Sequence, residues 1–171
     1  MAKYLGINFY SEDTTHFCFL EKEGDKNLNY HFFTEDNVDW KSHVSFIVEK
    51  VNEYQVDKVF TRDFRWMPYP SGEISRSWKI LCVLEYLLGE KMVPVGAYKL
   101  KSFARRKSRI KEFFEGDLIR KENKNFKLSW FYWDQEINQE ELNALLLANY
   151  EDWKKQLDDE KEAELEKESQ E

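Results

Sequence analysis

The sequence predicts an α/β fold on a mixed five-stranded sheet, three antiparallel strands followed by two parallel ones, with flanking helices. Three observations carry this. The chain opens on Tyr4-Leu5-Gly6-Ile7-Asn8, too apolar to leave both faces in water and so a central strand. Two β-rich runs follow, 15–20 (Thr-His-Phe-Cys-Phe-Leu) and 28–33 (Leu-Asn-Tyr-His-Phe-Phe), separated by a polar turn segment containing Gly24, which reads as an antiparallel meander. Beyond them, stripes at helical spacing alternate with two short apolar strands, 56–61 and 93–98.

Taken in order, Gly6 in the opening strand fits a point of close packing, and Asn8 stands at the strand's carboxyl end, where open α/β sheets place ligands. Asn8 serves equally to start the turn into Tyr10-Ser11-Glu12-Asp13. His16 and His31 lie inside strands with no second member of a triad or metal set spaced to join them. Thr34-Glu35-Asp36-Asn37 supplies N-cap chemistry for a helix whose stripe is Trp40, Val44, Ile47, Val48 and Val51. The strand through Val59 ends in Arg62-Asp63, a second strand end bearing a carboxylate.

A proline-bounded loop from Arg65 to Gly72 precedes a helix expected from about Ile74 to Leu88, stopped by Gly89. Its run Ile80-Leu81-Cys82-Val83-Leu84 predicts cover on several sides, and Cys18 and Cys82 both read as buried thiols of a reducing compartment. Pro94 limits hydrogen bonding near the start of the last core strand. The run from Lys127 to Trp133 (Lys-Leu-Ser-Trp-Phe-Tyr-Trp) either stacks bases or latches a loop onto the core. Asn138, with Glu141 three positions later, opens a helix carrying Leu142, Leu145, Leu146, Asn149 and Trp153 on one side.

Charge is unevenly spread. The total is −7, yet residues 99–127 hold eleven basic against four acidic side chains, a net +7 that includes Lys99, Lys101, Arg105, Arg106, Lys107, Arg109 and Lys111. Such a block in an acidic protein is the electrostatic footprint of a phosphate-backbone contact, or else a solvated helix face balanced by the tail. Residues 151–171 carry ten acids and four lysines, so the expected organisation is one domain over 1–150 and an acidic helix over 151–171 that frays into disorder. No run approaches the roughly 18 apolar residues of a membrane span, and the N-terminus lacks a signal-peptide pattern, which makes a cytoplasmic protein the expectation. A phosphate-cradling Gly loop, a nucleophile elbow and a His-Glu-x-x-His zinc helix are all missing from the sequence.

The succession of elements is similar to the RNase H-like fold, and within it residues 4–150 resemble RuvC-type Holliday junction resolvases. Leu5-Gly6-Ile7-Asn8 resembles that family's opening Leu-Gly-Ile-Asp, and the strand ending at Arg62-Asp63 falls where the family carries a catalytic Glu. Glu140-Glu141-Leu142-Asn143-Ala144-Leu145 resembles its closing Asp-x-x-Asp-Ala-Leu, and Val93 to Lys101 its last strand and lysine-bearing loop. The resemblance implies a site of four carboxylates holding two magnesium ions, with manganese as a substitute, and a dimer. Position by position, that site becomes Asn8, Arg62 or Asp63, Glu140 and Asn143, leaving at most Asp63 and Glu140 as metal-ligating carboxylates.

Three functions follow from this reading. The first is a RuvC-like protein without efficient metal-dependent nuclease activity that binds DNA or structured nucleic acid through residues 99–127, needing no cofactor. The second is the same fold as a protein-interaction scaffold, recruiting partners through Trp130 to Trp133 and the acidic tail. The third is a divergent magnesium-dependent junction endonuclease using Asp63, Glu140 and a nearby acid such as Asp134 or Glu136.

Overall fold

A computed structural model describes residues 1–9, 14–24, 26–36, 39–63, 65, 72–105 and 107–168, with the side chains of 72–75, 164, 167 and 168 left aside. The expected turn at 10–13, Asn37, the loop residues 66–71 and Arg106 lie outside the described residues.

Strands β1 (Ala2–Asn8), β2 (Thr14–Glu23) and β3 (Lys26–Asp36) form the antiparallel meander. Helix α1 (Trp40–Glu53) leads to β4 (Lys58–Asp63), and α2 (Gly72–Leu88) leads to β5 (Met92–Gly96). The order across the sheet is β3-β2-β1-β4-β5, with β4 parallel to both β1 and β5. This is the mixed five-stranded sheet of an RNase H-like fold. Each β-helix-β passage is a parallel crossover, which places β1, β4 and β5 with their carboxyl ends together. Pro94 is accommodated because β5 is an edge strand.

Strand alternation divides the core in two. Leu5, Ile7, Phe17, Phe19 and Val59 join Val44, Ile47, Val51, Ile80, Leu81 and Leu84 of α1 and α2 on one face. Cys18, Leu20, Phe60 and Val95 face the other way, against the second half of the chain. Both faces are therefore dry, which is why β1 reads as a continuous apolar run.

That second half holds more structure than its charge pattern discloses. It contains α3 (Ala97–Arg105), α4 (Lys107–Phe113), a small antiparallel sheet of β6 (Leu118–Glu122), β7 (Leu128–Tyr132) and β8 (Gln135–Ile137), then α5 (Gln139–Ala148) and α6 (Tyr150–Glu168). The aromatic run is β7, and its alternation resolves the two readings for half of it. Trp130 and Tyr132 enter the core, whereas Phe131 is half-buried and Trp133 stacks on Tyr132 at 5.4 Å. The Tyr30 hydroxyl donates to the Tyr132 carbonyl at 3.3 Å, fastening the small sheet to β3.

Several expectations need correction. The N-cap of α1 is Asp39, because β3 continues to Asp36; its carboxylate accepts from the Lys41 and Ser42 amides at 2.9 and 3.1 Å. Cys82 is exposed, and Tyr86 and Leu87 beyond it are 87% and 52% exposed. Ile80, Leu81 and Leu84 take the buried stripe of α2, and Cys82 falls on the opposite side of the helix. The helix expected in the acidic segment is α6, and Trp153 in its first turns belongs to the core. Among the described residues no helix is long and apolar enough to cross a membrane.

Candidate functional site

The site is built by matching two periodicities. Residues two apart on a strand are about 6.6 Å apart on the same face, and residues four apart on a helix rise about 6 Å. Helix α5 lies directly on β1: a Cβ placed on Gly6 would stand 2.0 Å from the Ala144 carbonyl oxygen and 2.6 Å from the Ala148 nitrogen. With Ala144 over Gly6, the residue one helical turn earlier, Glu140, comes over the residue two further along the strand, Asn8. The Asn8 amide donates to the Glu140 carboxylate at 2.5 Å and to the Glu140 carbonyl at 3.4 Å. Asn138 and Glu141 form a reciprocal capping box at 2.8 Å in each direction, fixing where α5 begins and so where Glu140 stands.

Strand β4 lies beside β1, with Ile7 level with Thr61. The next residue, Arg62, turns to the α5 face and its guanidinium donates to the side-chain amide oxygen of Asn8 at 3.4 Å. Asn8 is wholly buried and Arg62 is 9% exposed. A buried amide thus links a cation on one side to a carboxylate on the other, and its orientation is set by both. Asn143, one turn after Glu140 and 8% exposed, accepts from the Gln139 side chain at 3.3 Å.

Asp63 does not join this group. It follows Arg62, so strand alternation sends it to the face covered by α2. There Arg65 donates to both of its carboxylate oxygens, each at 2.9 Å, and reaches Glu85 of α2 at 2.8 Å. Burial works to raise the Asp63 carboxyl, but hydrogen bonds from Arg65 and its charge outweigh this and hold it below its ordinary value. The two expected metal-ligating carboxylates, Asp63 and Glu140, therefore lie on opposite faces of the sheet. Asp134, in the turn between β7 and β8, and Glu136 of β8 are engaged by Lys121 and Asn123 at 3.4 and 2.8 Å.

Magnesium in the two-ion arrangement needs several carboxylates to offset its charge. The groups beside Asn8 are one carboxylate, two amides and a buried guanidinium, a sum near zero, and this donor set does not fit two divalent ions. Among the described residues no three His, Cys, Asp or Glu side chains are grouped to hold a metal.

The basic residues take a separate place. Lys99, Lys101 and Arg105 on α3, and Lys107 and Lys111 on α4, are exposed, while Arg109 pairs with Glu160 of α6 at 3.0 Å. Helix α3 starts directly after Gly96, which lies level with Asp63, so the basic face begins at the same end of the sheet as Asn8 and Arg62.

Sequence reasoning missed a second buried polar pair. His43 on α1 is fully buried, and its Nδ1 meets the Glu35 carboxylate of β3. Burial, joined by Arg76, pushes the His43 imidazole down to about 4. Burial raises the Glu35 carboxyl to about 7, against the pull of Arg76. The signal was the position of His43 three residues after Trp40, on the buried stripe of α1.

No protein-family model matches the sequence, and no curated protein matches it. Solved structures do. RuvC of Thermus thermophilus in complex with a Holliday junction substrate is similar over 87% of this chain and 91% of its own, at 12% identity and a TM-score of 0.56. A second structure of Thermus thermophilus RuvC aligns over 86% and 91% at 13% identity, with a TM-score of 0.54. The chain thus has the RNase H-like fold that those RuvC structures display.

Proposed function

We propose that this chain is a RuvC-like nucleic-acid-binding protein that does not run efficient two-metal hydrolysis. The observation that carries the second half of the reading is the buried chain from Arg62 through Asn8 to Glu140, which sets a guanidinium where paired cations would need negative ligands. The first half rests on the exposed basic face of α3 and α4 at the same end of the sheet, together with the fold of a protein solved on a four-way junction.

Binding of a labelled four-way junction measured across ionic strength tests it. Affinity is expected to fall steeply with salt, because phosphate contacts release counterions. Reversing Lys101, Arg105 and Lys107 together to Glu lowers the affinity by about tenfold or more and flattens the slope of log K against log salt by about one for each phosphate no longer neutralised. No cleavage is expected with magnesium or manganese. Junction cleavage that disappears in Glu140→Gln would establish an active nuclease instead. Failure to bind any nucleic acid at low salt would favour the protein-scaffold reading.

A further inference from the structure

Between α3, α4 and α6 lies a groove of about 270 Å³. Its floor is aromatic and fixed. Phe103 and Trp153, 3% and 2% exposed, stack nearly parallel at 4.6 Å, and the Trp153 indole N–H donates to the Leu146 carbonyl at 2.7 Å. At the lip stands Tyr98, 72% exposed. Most exposed aromatics need no explanation, but this one stands at a groove whose charged lining is mostly basic.

Lys99, Lys154 and Lys161 line the same groove with Arg109, against a single acid, Asp158. Arg109 is engaged by Glu160 from the neighbouring turn of α6. The three lysines make no ion pair among the described residues, although the protein carries seven net negative charges. An apolar, rigid floor with unpaired cations at its edge calls for a ligand that is flat and apolar in one part and anionic in another. The volume is below the roughly 300–1,000 Å³ of pockets for drug-sized ligands, so the groove takes one small unit. Lys99 also belongs to the basic face of α3, so a chain leaving the groove continues onto cationic surface.

We propose that this groove receives one unpaired nucleotide of a nucleic-acid strand, its base against Tyr98 and the aromatic floor and its flanking phosphates on Lys99, Lys154 and Lys161. Aromatic platforms beside a cationic track are how strands are held without reading sequence. The inference rests on the nucleic-acid reading above and adds a preference for a single-stranded segment.

The test compares a short labelled oligo(dT) with a blunt duplex of equal length, by fluorescence anisotropy at low salt. Wild type is expected to prefer the oligo(dT). Tyr98→Ala, at an exposed position that carries no core packing, weakens oligo(dT) by at least about fivefold, the contribution of one stacked base, and leaves duplex affinity unchanged. Lys154→Ala with Lys161→Ala weakens it further, and an oligo carrying 5-iodouracil crosslinks to Tyr98 on irradiation. Wild type that binds DNA, with neither variant affecting oligo(dT) and crosslinks only elsewhere, overturns the groove assignment while leaving the broader reading intact. No binding of either DNA overturns both. Tyr98-dependent binding of an acidic peptide without binding of oligo(dT) gives the groove to a protein partner and also overturns the proposal.

Discussion

Gly6 shows how much a single residue settles. The absent side chain lets α5 rest on β1, and that close approach brings Glu140 over Asn8. Gly6→Ala pushes the helix away, and the expected loss is about 3 kcal/mol in urea denaturation, the upper part of the usual overpacking range. At Asn8 the chemistry is equally directional. Asn8→Asp removes the donor that faces Glu140 and places two carboxylates together while still feeding Arg62. Junction cleavage is therefore not expected from this variant alone, with Arg62 and Asn143 unchanged; measurable turnover in magnesium would contradict a site so short of negative ligands. The Glu35–His43 pair gives a third prediction, in pH. Glu35, raised to about 7, contributes stability below its unfolded value of 4.5 and loses it as pH rises through 7. His43, lowered to about 4, acts in the opposite sense, losing stability as pH falls from 6.5 towards 4. The two largely cancel between about pH 4.5 and 6.5. Glu35→Gln removes the falling component, so its stability relative to wild type is expected to climb between pH 4.5 and 7 in urea titrations.

At the scale of elements, α5 and α6 organise the second half of the molecule. Leu142 to Ala148 are all buried, the pattern of a helix enclosed on every side, here by the sheet beneath and by α3 and α6. Its capping box was legible in the sequence because the spacing is local, and Asn138→Ala is expected to cost about 1 kcal/mol in the same denaturation assay. Helix α6 is attached by Trp153 and by Lys22 and Lys58, which pair with Asp152 and Glu151. Trp153→Ala is expected to destabilise the fold by about 3–5 kcal/mol and to lower the helical circular dichroism signal as α6 loosens. Acidic composition pointed to fraying along this segment, since the apolar residues thin out after Leu157. Its first turns are held by partners from β1, β2 and β4, more than 90 residues away in the chain.

Across the whole molecule, α6 separates two surfaces of opposite charge. On one flank lies the groove of Tyr98, Lys99, Lys154 and Lys161; on the other, a larger depression where Glu112, Glu115, Asp117, Asp152, Asp159 and Glu160 outnumber Lys26 and Lys155. The net charge of −7 therefore describes neither side. The sequence by itself determined the order of elements from β1 to β5, the dry central strand, the capped α5 and the basic segment, because these depend on periodicity and composition within a few residues. Only the tertiary structure decided that Arg62 faces Asn8 while Asp63 faces α2. One residue of register exchanges the two, and register is set by the pairing of β4 with β1 and by what each face buries. The same holds for the groove at α6, whose parts at 98–109 and 150–161 are separated by the small sheet and α5 in the chain and meet only in the folded core.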